Sequence, residues 1–137
     1  MALEDVVERV YKQGFNCSES LIQAANEYYG LHLTQDEYKL ISGFGGGMFV
    51  GSTCGALAAS IACVSKKEIQ VKAHDQLDTF RPNIQKTVRN FKEELGDTEC
   101  KNIKPVFHNK EIKCLNTVKH AAVALEKTMN ELGYKPI

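Results

Sequence analysis

The chain has 137 residues, 43% of them hydrophobic, and its 17 lysines and arginines are balanced by 17 aspartates and glutamates. That length suits one domain spanning residues 1–137 around a moderate core, and the balanced charge lacks the basic excess of a phosphate-binding surface, so no nucleic acid partner is expected. The acidic start Met1-Ala2-Leu3-Glu4-Asp5 does not read as an export signal, and the longest apolar run, Cys54 to Val64, falls short of the roughly 20 residues that cross a bilayer, so a cytoplasmic protein without membrane insertion is expected.

Leu3, Val6, Val7 and Val10 recur at helical spacing and Gly14 follows as a stop, which predicts a first helix. Asn16 with Glu19 three residues on reads as a capping box, so a second helix starts at Cys17 and carries Leu21, Ile22, Ala25, Tyr28 and Tyr29. A short third helix from Thr34 would use Tyr38, Leu40 and Ile41 as its apolar side. Then comes the only glycine-dense segment, with Gly43, Gly45, Gly46, Gly47 and Gly51. Ser52 and Thr53 are suitable caps for a central small-residue helix starting near Cys54. Lys66 to Asp78 is polar and reads as a surface connection. Ile84, Val88, Phe91 and Leu95 mark the next helix, with Pro82 tolerable only near its first turn and Gly96 as its end. Thr98 can cap a short turn beginning near Cys100. Ile112, Leu115, Val118, Ala122, Leu125, Met129 and Leu132 form a seven-residue repeat along a last helix, with Cys114 close to its start. That stripe suits an internal bundle or a homodimer. The fold class is therefore all-α: a single-domain bundle of about five to six helices with a glycine-rich interhelical loop.

Five cysteines is an odd number, and a disulfide framework does not suit a chain read as cytosolic. Cys17, Cys54, Cys100 and Cys114 each fall at or near a predicted helix start, where free N–H groups and the helix dipole favour negative charge and lower a thiol's pKa. Cys63 follows Cys54 by nine residues on one helix, about 900° at roughly 100° per residue, so it faces the other way and is assigned to the core. No C-x-x-C pair occurs, which excludes a thioredoxin-type motif and paired zinc knuckles. Four ligands from separate elements can still hold a tetrathiolate zinc ion or an iron–sulfur cluster. His108 is close enough in sequence to Cys114 to substitute as a ligand. Gly46 to Thr53 resembles a phosphate loop, but Ser52 stands where the lysine is needed and no strand precedes it, so nucleotide binding is not expected. A better reading is that Gly45, Gly46 and Gly47 let backbone N–H groups approach an anionic sulfur centre beside Cys54.

Phe15-Asn16-Cys17-Ser18, Gly43-Phe44-Gly45-Gly46-Gly47-Met48, Cys54-Gly55-Ala56, Gly96-Asp97-Thr98-Glu99-Cys100 and Cys114 together resemble the redox-active family named for its C, GCAxxG, C, C pattern. Ala59 departs from it, standing at the site of the motif's last glycine. The resemblance implies a redox role with an unknown redox partner protein. A related domain in split-Soret cytochromes is associated with an iron–sulfur centre, which implies a [2Fe–2S] cluster on the four cysteines. No C-x-x-C-H haem attachment occurs. Three readings stay open: an iron–sulfur electron-transfer protein, a thiol–disulfide oxidoreductase using two of the cysteines, and a structural zinc domain that binds another protein. Whether the chain is an enzyme is left open with them.

Overall fold

The computed structural model describes residues 1–137 and contains seven α-helices and no strands. They are α1 Leu3–Tyr11, α2 Cys17–Tyr29, α3 Gln35–Tyr38, α4 Gly55–Glu68, α5 Leu77–Leu95, α6 Cys100–Phe107 and α7 Leu115–Glu131. Short 3₁₀ segments cover Lys39–Phe44 and Ala73–Gln76. The count exceeds the expected five to six because the short turn expected at Cys100 extends into a helix of eight residues.

α1 buries Leu3, Val6, Val7 and Val10, as its spacing predicts. α2 is entered through the expected capping box: Asn16 Oδ1 accepts from Glu19 N–H at 3.0 Å, and Glu19 Oε1 accepts from Asn16 N–H at 2.9 Å. It stops at Gly30, whose φ of +65° is the left-handed value that ends helices. α4 lies against α2, α5 and α7 and buries Ala56, Leu57, Ala59, Ser60, Cys63 and Val64. The small side chains on that face let neighbouring backbones come close. Ala59 is fully buried there, so a methyl group is accommodated at the position of the motif's glycine. α7 packs against α1 and α5 and buries Leu115, Val118, Ala122, Leu125 and Met129. Those five residues of the stripe therefore pack in the core of their own chain.

Several boundaries differ from the sequence reading. Leu40 is 81% exposed, because the 3₁₀ winding of 39–44 turns it away while Ile41 enters the core. The residue capping α4 is Cys54 itself. Ser52 and Thr53 are instead drawn into an extended clip: Cys100 N–H donates to Ser52 O at 2.7 Å, Cys54 N–H donates to Thr98 O at 2.8 Å, and Thr53 pairs with Glu99. The connection expected over 66–78 is shorter, since α4 continues to Glu68 and α5 begins at Leu77. Pro82 consequently sits in the second turn of α5, where its missing N–H leaves one early carbonyl without a helical donor. Ile112 lies before α7, in a turn closed by Asn109 and Lys113.

No helix is long and apolar enough to cross a membrane.

Candidate functional site

Each of the four predicted cysteines stands at a helix N-terminus: Cys17 and Cys100 are the first residues of α2 and α6, and Cys54 and Cys114 are the N-caps of α4 and α7. Specific long-range bonds bring those four ends together. The 52–54 and 98–100 clip sets Cys54 beside Cys100. The start of α2 is latched to the segment before the glycine loop by Asn16 Nδ2 donating to Ser42 O at 3.1 Å, Ser18 Oγ donating to Ile41 O at 2.8 Å, and Ser42 Oγ donating to Glu19 Oε2 at 2.6 Å. The start of α7 is held to α1 by Cys114 N–H, which donates to the Tyr11 hydroxyl at 3.0 Å.

The result is one small cavity of about 40 Å³ walled by all four cysteines with Gly46 and Lys104, and closed by Ile103 and Thr117. Cys17 and Cys54 are buried, while Cys100 and Cys114 are half-buried. All five cysteines of the chain are free thiols, and Cys63 lies in the core outside this cavity, as its phase on α4 requires. No three His, Cys, Asp or Glu side chains close on a point that a single ion would occupy. The four cysteine residues line one small space instead. A larger surface groove of about 220 Å³, between Phe15, Glu19, Gln23, Gln35, Tyr38 and Lys39, holds no thiol.

Glycines make the close approaches. A Cβ at Gly55 would lie 2.6 Å from Phe44 O and 2.9 Å from Cys17 Sγ, so α4 can meet α2 here only without a side chain. Gly47 has a φ of +63°, and a Cβ there would sit 2.8 Å from Cys100 Cβ. Gly45 abuts the capping Asn16 side chain. Gly46 lines the cavity with Cys17 and Cys54 and directs its N–H to Cys17.

The electrostatics correct another expectation. Helix N-termini were expected to lower the thiol pKa values, yet burial raises those of Cys17, Cys54 and Cys114, with Cys54 pushed up to about 12. Mutual repulsion among the cysteines adds to the effect, while N–H groups of Gly46 and Ser18 at Cys17, and of Ala56 and Leu57 at Cys54, act the other way. The N–H groups at Cys54 favour its thiolate without closing a capping hydrogen bond in strict geometry. Desolvation outweighs these dipoles because removing a thiolate from water costs more than a few imperfect N–H contacts return. A bound cation inverts that balance, since a coordinating thiol is deprotonated outright.

His108 Nδ1 lies 3.5 Å from Cys114 Sγ, and Lys104 favours the thiolate there. Sequence reasoning reached Cys17, Cys54, Cys100, Cys114 and Gly45 to Gly47, but did not place Gly55, Tyr11 or Lys104 at the site. Gly55 was legible as part of the Cys54-Gly55-Ala56 run. Tyr11 and Lys104 carry no local signal, because only the packing of α1 and α6 brings them to the cysteines.

A family model described as "Putative redox-active protein (C_GCAxxG_C_C)" matches residues 15–128. Comparison with curated proteins and with solved structures gives no match.

Proposed function

The chain belongs to the C_GCAxxG_C_C family of redox-active proteins, and from that premise we propose that Cys17, Cys54, Cys100 and Cys114 form one redox centre that holds an iron–sulfur cluster for electron transfer. The observation that carries this reading is the meeting of four helix N-termini, each bearing a cysteine, around one cavity. The donor set suits the group, since four thiolates are the usual ligands of [2Fe–2S] and [4Fe–4S] clusters. No carboxylate lines the cavity, and Lys104 and the Gly46 N–H supply positive potential to an anionic centre. When bound, the cluster would accept and release one electron. The residues would ligate it, exclude bulk water and donate N–H groups to its sulfurs, which raises its potential.

One feature favours a second reading. Cys114 is half-buried and has His108 beside it, the pairing that activates a nucleophilic thiol. In thiol–disulfide exchange its thiolate would attack a disulfide substrate, and a second cysteine of the cavity would resolve the mixed disulfide. Two protein thiols would become one disulfide while the substrate gains two electrons and two protons.

Anaerobic purification or reconstitution followed by iron, sulfide and zinc analysis separates these cases. Equimolar iron and acid-labile sulfide with visible charge-transfer absorption is expected. Stoichiometric zinc without sulfide, or a metal-free protein that cycles one disulfide, overturns the cluster reading.

A further inference from the structure

α6, which walls the four-cysteine cavity, and the turn that follows it differ in charge from the rest of this neutral chain. Residues 100–114 carry Lys101, Lys104, Lys110 and Lys113 against the single acid Glu111. All four lysines are exposed, and none takes part in an ion pair. Lys104 walls the cavity itself and, with Lys101, Pro105 and His108, also belongs to an open outer face of α6. No acidic side chain lines it.

An apolar projection stands next to these lysines. Residues 47–51 make one wide turn in which Met48 and Phe49 both adopt φ of +58°, a left-handed conformation that side chains rarely take. The turn leaves Phe49 74% and Val50 79% exposed. It packs on α6, and a Cβ at Gly51 would lie 3.3 Å from Lys101 Cβ, so tip and lysines form one surface. The backbone of this turn reaches the sulfurs through Gly46 and the approach of Gly47 to Cys100.

We propose that the face made by the 47–51 turn and α6 docks a one-electron carrier protein with an acidic surface. An apolar centre with a charged rim is the usual anatomy of a protein interface, and unpaired rim charges steer the encounter. This outer face of α6 is open, so it does not enclose a small molecule. This inference rests on the electron-transfer reading. In each encounter one electron passes from the carrier's reduced cofactor to the four-cysteine centre. The carrier is oxidised by one electron, the centre is reduced by one, and no covalent bond is made or broken.

The test uses the holoprotein, with iron and sulfide content measured first, and an acidic flavodoxin hydroquinone as electron donor in stopped flow. The second-order rate is expected to fall at least about tenfold between low and high salt, the behaviour of an electrostatically steered encounter. Lys101→Glu combined with Lys104→Glu should lower the low-salt rate by at least about tenfold. Lys86→Glu on α5, a charge reversal away from α6, should lower it far less. Phe49→Ser should slow the reaction at every salt concentration. A salt-independent rate, an equal effect of Lys86→Glu, or faster reaction with a basic carrier such as cytochrome c overturns the proposal. So does tight binding of single-stranded DNA to this face at physiological salt, which would make the partner a nucleic acid.

If the metal analysis finds no cluster, the electron-transfer reading fails separately and the polarity of the α6 face is read on the free thiols. Anionic 5,5′-dithiobis(2-nitrobenzoate) should then lose its advantage over neutral 2,2′-dithiodipyridine as salt rises, and lose it in the Lys101→Glu, Lys104→Glu protein. Equal salt dependence of the two reagents overturns the electropositive face itself.

Discussion

At the scale of single residues, the site depends on one missing methyl group and several raised pKa values. Gly55→Ala would push a Cβ against Phe44 O and Cys17 Sγ, and overpacking of this kind costs about 1–3 kcal/mol. The variant should melt at lower temperature and load less iron than the wild type. Ala59→Gly should leave iron content unchanged, because that residue faces the core and does not line the cavity. A Gly55→Ala protein with full iron content and an unaltered melt would show that α4 and α2 can part at no cost. The buried thiols also fix the sign of a pH dependence. A thiol with its usual value of 9.0 in the unfolded chain stays protonated in the fold to about 12 at Cys63, mainly through burial. The unfolded state therefore binds fewer protons between those values, and stability present below about pH 9 is lost as pH rises toward 12. Urea midpoints at pH 8, 9.5 and 10.5 should fall for the apoprotein, and fall less steeply for Cys63→Ala. Parallel curves for the two proteins would contradict the assignment.

At the scale of elements, helix ends act as connectors more than as stops. Asn16 caps α2, accepts from Ser18 Oγ at 2.9 Å and donates to Ser42 O, so its side chain joins three segments. Asn16→Ala should destabilise the protein by about 1–2 kcal/mol, at the upper range for a lost cap, and should make Cys17 more reactive to iodoacetamide in the apoprotein. A stability loss without a change at Cys17 would mean that the cap holds the helix but not the thiol. The glycine turn gives a negative prediction as well. Ser52 N–H donates to Gly47 O, so one N–H that a phosphate loop would offer to an anion is already paired within the chain, and no lysine stands at its end to hold the phosphates. Ser52→Lys should not bind ATP, and measurable affinity by calorimetry would refute that reading.

For the molecule as a whole, convergence of the four cysteines makes their loss cooperative. Replacing Cys17, Cys54, Cys100 or Cys114 with serine should each remove most bound iron and sulfide together, since three thiolates cannot complete the site with the same ligand softness. Cys63→Ala should retain both. Full metal content in any of the four serine variants would remove that residue from the ligand set. Because burial keeps Cys17, Cys54 and Cys114 protonated, loading must release protons. Reconstitution should therefore weaken as pH falls, measured as iron bound at fixed free iron.

Spacing and local bonding along the chain were enough to give the helical class, the faces of α1 and α7, the capping box at Asn16, the out-of-phase position of Cys63 and the placement of four cysteines at helix starts. These are local matters, set by spacing along 3.6-residue turns and by side chains that bond backbone groups within three or four positions. Tertiary structure alone decided that the four helix starts meet, because the bonds that bring them together join Thr98 to Cys54, Ser52 to Cys100 and Tyr11 to Cys114 across distant parts of the chain. It took Ser52 and Thr53 from capping into the clip beside Glu99, since a carbonyl and an N–H already aligned with another segment are better satisfied there. It also reversed the expected direction of the thiol pKa shifts. A helix end is visible in the sequence, but the desolvation that outweighs it depends on everything packed around the sulfur.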